Sequence, residues 1–420
     1  MKKSFITLVL LVLIVALWGN GISLNSIGPK AGAMGGAFVG QADDATAVFW
    51  NPAGLVGQKA TISASMVDVY LYPTYKNDTY GIDAKVDDVH FISPHIFANY
   101  ASDRFAWGFG FFVPHGLGVE WDGSELLPFS NGKELDWSSE ISMITVSSSA
   151  AYKVTDKFNV GFSVNIHHGA MEIARGEDRY DMVNSNLGSD GLLDTQYKEE
   201  VSGSGTSFAF GIQYTPVEDF TIGLSYRSPS VVALSGDAEF TKMPVPDGQG
   251  GTIEISHDLY IRRDFEIPFW IGLGTSWRAT DRWTFNLDAQ MTRWSTYDKM
   301  VSQVVMESGT ENVITHMEWE DAIQFRFGTE YKATDCLALR AGYFYDPAPA
   351  PDETVNILFP SSTNHNATFG GGYTWNKITL DLALEYYFGE EREVEPAAHN
   401  MPGTHQMDIF AYMLGLTYTF

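Results

Sequence analysis

The chain has a single cysteine, Cys336, so neither a disulfide framework nor a cysteine-cluster metal site is open to it. Basic residues are scarce: 26 Lys and Arg stand against 52 Asp and Glu, a formal charge of −26. That excludes the broad basic face of a nucleic-acid binder. Charged residues make up 19%, under the roughly 25% of ordinary soluble domains. Past the N-terminal segment no apolar run is long enough for a membrane-spanning helix. If the body lies in a membrane it must be a closed barrel, because lipid tolerates no unpaired backbone. What is abundant is aromatic or small: 14% Phe, Trp and Tyr, and 40 glycines in 420 residues.

The N-terminus sets the compartment. Lys2 and Lys3 precede an apolar run from Phe5 to Trp18, broken only by Thr7. A charged n-region before a short h-region reads as a signal peptide, residues 1–21. Gly19 and Gly21 supply small residues for cleavage after Gly21, with Ser23 the other position. An uncleaved anchor helix is the alternative.

Past residue 58 the dominant signal is alternation. Trp283, Phe285, Leu287 and Ala289 oppose Thr284, Asn286, Asp288 and Gln290, and Ile378, Leu380, Leu382 and Leu384 oppose Thr379, Asp381, Ala383 and Glu385. Successive side chains on a strand point to opposite faces, so each such run has one greasy and one polar surface. Fourteen strands are expected near 59–74, 86–101, 104–118, 139–154, 157–174, 203–215, 219–234, 252–279, 282–298, 319–333, 336–347, 366–375, 377–388 and 407–420. Connections alternate between short turns, such as Ser102-Asp103 and Asn376, and long loops, among them 119–138, 175–202, 235–251 and 299–318. A soluble sandwich has no need of that asymmetry. An even-stranded outer-membrane barrel has it, with short turns and both termini on the periplasmic side. The expected fold is all-β, an antiparallel fourteen-stranded transmembrane barrel over residues 59–420.

Residues 22–58 read differently. Gly32, Ala33, Gly35, Gly36 and Ala37 form a close-packing tract, Asp43-Asp44-Ala45-Thr46 suits a helix cap, and Asn51-Pro52-Ala53-Gly54-Leu55 breaks the chain. A plug inside the barrel fits this segment; a periplasmic tail or small cap is the alternative. With Leu224-Ser225-Tyr226-Arg227-Ser228-Pro229, Thr292-Arg293-Trp294-Ser295-Thr296-Tyr297-Asp298, Leu339-Arg340-Ala341-Gly342-Tyr343-Phe344-Tyr345-Asp346 and Val113-Pro114-His115-Gly116-Leu117-Gly118, the chain resembles the FadL-type long-chain fatty-acid transporters of the outer membrane. Relatives of that family include aromatic-hydrocarbon porins, and the matches run in order along nearly the whole mature chain.

The resemblance implies a monomeric barrel with an N-terminal hatch, embedded among outer-membrane lipid and lipopolysaccharide and requiring no cofactor. It also implies a hydrophobic ligand, captured among extracellular loops, passed to a lumenal pocket and released laterally at a kinked third strand. Candidate groove residues are Leu126, Leu127, Phe129, Leu187, Leu192 and Leu193, with loop self-packing the alternative. Candidate pocket residues are Met34, Phe38, Phe49 and Phe112, with core packing of the hatch the alternative for the first three. Pro114, His115 and Gly116 mark the kink, since proline cannot donate to a ladder and glycine packs weakly; an ordinary bulge is the alternative. Asn51, Pro52 and Ala53 mark the hatch gate. Arg227 and Arg175 are candidate carboxylate grips, because a guanidinium matches both carboxylate oxygens, with structural pairing inside the barrel the default role for Arg227. Together the lumenal charges, Arg227, Arg326 and Arg340 against Asp288, Glu330, Asp381 and Glu385, are expected to pair and clamp the plug, with a carboxylate grip the alternative for any one of the arginines.

Two departures bear on the ligand. Glu320 precedes Asp321-Ala322 where fatty-acid transporters of the family carry a basic residue, and Asn364-His365 stands where they often have Asp-Arg. Both favour neutral hydrocarbons over fatty acids, which remain the first expectation. An enzyme is the rival class, but there is no Gly-x-Ser-x-Gly elbow and no His-Glu-x-x-His helix. His167 and His168 are adjacent, so on a strand they face opposite ways. Glu390, Glu391, Glu393 and Glu395 form either a solvated loop or a calcium or lipopolysaccharide contact. A plain porin is the second rival, and a hatch would block its flow.

Overall fold

The computed structural model describes residues 21–86, 89–178, 193–249, 251–306 and 309–420. All but the last residue of the expected signal peptide, together with Leu187 and Leu192, lies outside them. Two one-turn helices come first, α1 (Pro29–Gly32) and α2 (Ala47–Trp50), then a 3-10 turn at Pro52–Leu55. Asn51 caps that turn by accepting from Ala53 N, 3.2 Å.

The barrel strands are β1 (Thr61–Asn77), β2 (His90–Ala101), β3 (Phe105–Trp121), β4 (Trp137–Thr155), β5 (Phe158–Glu177) and β6 (Thr195–Val217). Four strands are interrupted: β7 (Phe220–Arg227, then Ser230–Pro246), β8 (Thr252–Ile267, then Trp270–Arg278), β9 (Trp283–Thr292, then Lys299–Met306) and β10 (Gly309–His316, then Ala322–Lys332). The last are β11 (Leu337–Asp346), β12 (Asn364–Trp375), β13 (Ile378–Gly389) and β14 (Gly403–Thr419). Each pairs antiparallel with its neighbour in sequence, and β1 closes on β14 from Thr61↔Thr419 to Lys76↔Thr404. The result is a closed barrel of 14 strands, without a free edge along its closed part.

Closure followed from the alternation, but the heights of the strands did not. The expected loops 235–251 and 299–318 are largely strand: β7 and β8 pair up to Pro246↔Thr252, and β9 and β10 up to Met306↔Gly309. In the lower barrel the outward face is apolar, as with Phe162, Val164 and Ile166 on β5, while Ser163, Asn165 and His167 point inward and are buried. Higher on β5 the inward residues are Met171 and Ile173, and the outward ones include Glu172. The period of two persists while its chemistry inverts. On β7 and β8 the phase also slips where Ser228-Pro229 and Pro268-Phe269 interrupt pairing, between Trp270↔Arg227 and Ile267↔Ser230.

The upper collar encloses one large apolar cluster, with Trp121, Trp137, Met171, Val232, Ile261, Phe265 and Trp294 among its members. The β11–β12 loop folds into it: Trp121 Nε1 donates to Ile357 O at 3.0 Å and Ser139 Oγ to Leu358 O at 2.5 Å. Leu126 is fully buried in this cluster. Phe129 packs against it, with its ring 5.3 Å from Tyr80 and 6.4 Å from Trp137. Leu193 packs there too, its N–H donating to Phe129 O at 3.0 Å. Leu127 opens a 3-10 turn beside them.

Candidate functional site

Residues 22–58 meet the inward face of the lower barrel, where strands supply polar side chains to the segment's backbone. Asp288 Oδ2 accepts from Phe38 N and Val39 N, both 2.9 Å. Asn286 Nδ2 donates to Ala37 O at 2.7 Å, Gln290 Nε2 to Gly36 O at 3.0 Å, and Thr368 Oγ1 to Ala33 O at 3.1 Å. Arg326 donates to Asn25 O and Gly35 O, each 3.0 Å. Asn51 Nδ2 reaches Val39 O and Ile212 O, each 3.0 Å. Pro52 and Ala53 lie on wall glycines: a Cβ at Gly161 would sit 2.3 Å from the Pro52 carbonyl carbon. Arg340 pairs with Glu330 at 2.7 Å and Asp381 at 2.6 Å, as expected of lumenal charges.

Above this clamp, at the level of the interrupted strands, lies a lumenal cavity of about 60 Å³. Val48, Phe49 and Trp50 of α2, Phe112 of β3 and Trp270 of β8 form its apolar side. His115, Thr145, His167, Ser207 and Arg227 form its polar side. The Arg227 guanidinium lies between the rings of Phe49 and Trp270, at 3.6 and 4.0 Å from their centroids. Its Nε and Nη2 donate to Phe49 O at 3.3 and 3.0 Å. Among the described residues no carboxylate pairs with it, whereas Arg175 is bound to Glu177 and Arg263 to Glu199. The cavity's lining contains Arg227, Arg326 and two histidines, and no Asp or Glu.

The third strand carries a bulge at the residues expected to kink. Against β4 the register slips between Phe112↔Thr145 and His115↔Met143, a one-residue bulge at Val113-Pro114. On its other side β3 pairs with β2 only from Ile96↔Phe111 to Ala101↔Ala106, so His90–His95 have no β3 partner. A second cavity, about 570 Å³, fills this gap. Its lining joins inward-facing Val67 and Met413 to outward-facing Ile92 and Ile144, which are 60% and 39% exposed, so it crosses the wall. Phe91 lies against Gly118, where a Cβ would be 1.9 Å from its ring.

Residues 22–24 occupy the position beside β3 that β2 vacates. Gly116 N donates to Ile22 O at 3.0 Å and Leu24 N to Pro114 O at 2.9 Å. Ser23 Oγ meets His115 Nδ1 at 3.0 Å. Ser23, Leu24 and Asn25 line both cavities, so a short strand of the N-terminal segment is the partition between them.

Of the expected pocket residues, Phe49, Phe112 and Arg227 meet in the lumenal cavity, the first two with rings 5.5 Å apart. Met34 instead lies against Gly328 and Gly342 of the wall, and Phe38 packs on Trp50 at 6.3 Å, because the small-residue tract brings the segment too close to the strands to leave space there. Arg175 stands in the collar over Tyr197, 5.1 Å from its ring. Of the Asn364-His365 departure, His365 faces outward, bound to Tyr343 at 2.7 Å and Glu390 at 3.1 Å, and lines neither cavity, whereas Asn364 lines the larger one described above. His167, Trp270 and the Ser23–Asn25 partition were not singled out as site residues. Each is brought in by long-range packing, Ser23 from 92 residues away.

Comparison with known proteins agrees with this architecture. The family described as outer membrane protein transport protein (OMPP1/FadL/TodX) matches residues 12–420. Outer membrane protein P1 of Haemophilus influenzae is 22% identical over 338 residues, 73% of this chain and 67% of that protein. Among solved structures, a Pseudomonas aeruginosa FadL homologue superposes with a TM-score of 0.81 at 19% identity, covering 96% of this chain and all of that one. The Pseudomonas putida toluene transporter TodX gives 0.77 at 20% identity, with the same coverage. The chain belongs to the OMPP1/FadL/TodX family, an outer-membrane β-barrel of the kind that transports hydrophobic compounds.

Proposed function

We propose that the protein takes up long-chain fatty acids and similar carboxylate-bearing hydrophobes, with Arg227 gripping the carboxylate. One observation carries this reading. In a chain with a charge of −26, the lumenal cavity is lined by two arginines and two histidines and by no acid, and Arg227 has no carboxylate partner among the described residues. A buried guanidinium between two rings still has donor capacity, and a carboxylate matches its fork. A space of about 60 Å³ holds no acyl chain, so binding requires Phe49 or Trp270 to swing aside.

The route follows from the geometry. Residues 22–58 act as a hatch within the barrel, once residues 1–21 are removed as a signal peptide. Ligand in the lumenal cavity displaces the Ser23–Asn25 partition from Pro114 and Gly116. It then enters the larger cavity and leaves between β2 and β3 into the membrane. Against β3 the partition is held by two backbone hydrogen bonds and one side-chain contact, and Asn25 anchors its other end to Asp346, Gln324 and Arg326. No catalytic step is involved.

Neutral hydrocarbons are the second reading, favoured by the four aromatic rings of Phe49, Trp50, Phe112 and Trp270 on the cavity wall and by Glu320. Uptake of radiolabelled oleate and toluene, in an outer membrane lacking its own such transporter, separates the two. Oleate uptake above the empty control, lowered at least tenfold by Arg227→Ala, supports the carboxylate reading. Toluene uptake without oleate uptake overturns it.

A further inference from the structure

The two cavities carry opposite electrostatic preferences. The charged side chains lining the larger, lateral one are Glu140, Asp346 and Glu385, and no Lys or Arg lines it. Arg326, which lines the lumenal cavity, is occupied by Asn25, Gly35 and Gln324. Among the serine hydroxyls of the lateral wall stand several strong acceptors. Asp346 accepts from Asn25 and Gln324, each at 2.6 Å, and Glu385 Oε2 accepts from Tyr387 at 2.8 Å. A further acceptor, Asn364 Oδ1, is buried without a hydrogen bond on a residue 4% exposed, and the Glu385 carboxylate has the Ser26 hydroxyl beside it. A buried acceptor left unmet costs roughly 1–3 kcal/mol, so a group that donates to it is favoured, and a second carboxylate is not.

We infer that the lateral cavity is a second ligand subsite, for long-chain amphiphiles whose uncharged polar end donates a hydrogen bond, alkanols being the simplest. The hydroxyl donates to Glu385 or Asn364, and the chain lies along Val67, Leu71, Ile141 and Met413. A volume of about 570 Å³ falls within the ordinary range of small-molecule sites. The inference rests on the uptake reading above and extends it: the lumenal cavity favours an anionic head, and the lateral cavity favours a neutral, donating one.

The test is equilibrium binding of radiolabelled decanol and decanoate to the full chain in lipid nanodiscs, with empty discs subtracted. Glu385→Ala and Asn364→Ala are each compared with the wild type, with folding checked by heat-modifiable gel mobility. The expected result is a loss of decanol affinity of about tenfold, with decanoate affinity unchanged. Arg227→Ala gives the converse. Decanol binding unchanged in a folded Asn364→Ala and a folded Glu385→Ala overturns the inference, and Asn364→Ala decides alone if the other variant does not fold. Equal loss of both ligands also overturns it, since the effect is then not specific to the head. Decanoate binding untouched by Arg227→Ala strikes the carboxylate reading and not this one.

Discussion

The lower barrel and the upper collar are made from the same strands and solve opposite problems. In the lower part Phe162, Phe208 and Leu273 face outward and Ser163, Ser207 and Asp288 face inward. The lipid supplies the apolar surroundings, and residues 22–58 are held by hydrogen bonds. In the collar Glu172, Glu200 and Asp237 face outward while Met171, Val201 and Val232 are buried. There water lies outside and the apolar cluster lies within. The lumenal cavity sits at the seam, where strands are interrupted at Pro114, Pro229 and Pro268 and where polar and apolar linings meet. An amphiphile with a charged head and a greasy tail suits that boundary.

Removing Asp288 breaks the polar half most severely. Asp288→Ala strands the N–H groups of Phe38 and Val39, at about 1–3 kcal/mol each. It is expected to unseat residues 33–39, lower the urea midpoint of the barrel in vesicles and, on the proposed hatch role, raise sensitivity of cells to a large antibiotic. Within the apolar half, Arg263 and Glu199 form a buried ion pair, 3% and 1% exposed at the side chain. Arg263→Ala should cost about 3–5 kcal/mol in the same titration, while R263M together with E199L should stay near the wild-type midpoint. The outward faces sharpen the contrast. Phe162→Lys, in the lipid belt, should cost about 2–4 kcal/mol on folding into vesicles. Glu172→Lys gives the smallest effect. Glu172 stands opposite Glu140 and Glu200 on neighbouring strands, so a lysine there should stabilise by roughly 0.2–1 kcal/mol, an effect that salt weakens.

Most of the barrel was legible because a period of two survives any change of lining. The collar strands at 235–246 and 299–306 were read as loops for two physical reasons. Their outward residues are charged and inward residues apolar, the reverse of the lipid belt, and Pro229 and Pro268 slip the phase between the halves. In the site, Phe49, Phe112, Arg227 and the Pro114 kink were legible from residue type and local order. His167 and Trp270 were not, since nothing local tells a wall residue which neighbour it meets across the lumen. The Ser23–Asn25 partition was hidden beside the expected signal segment, where small polar residues read as cleavage signals.

The account stands or falls on ligand passing the partition to the lateral gap. Ser23 and His115 form an isolated antiparallel bridge whose neighbours, Leu24–Pro114 and Ile22–Gly116, carry its hydrogen bonds. Such a pair brings Cα atoms to about 4.5 Å, within disulfide reach. The decisive measurement is oleate uptake by Ser23→Cys/His115→Cys in a Cys336→Ser background, oxidised and then reduced. The account predicts uptake abolished by oxidation and restored by reductant; equal uptake in both states would contradict it.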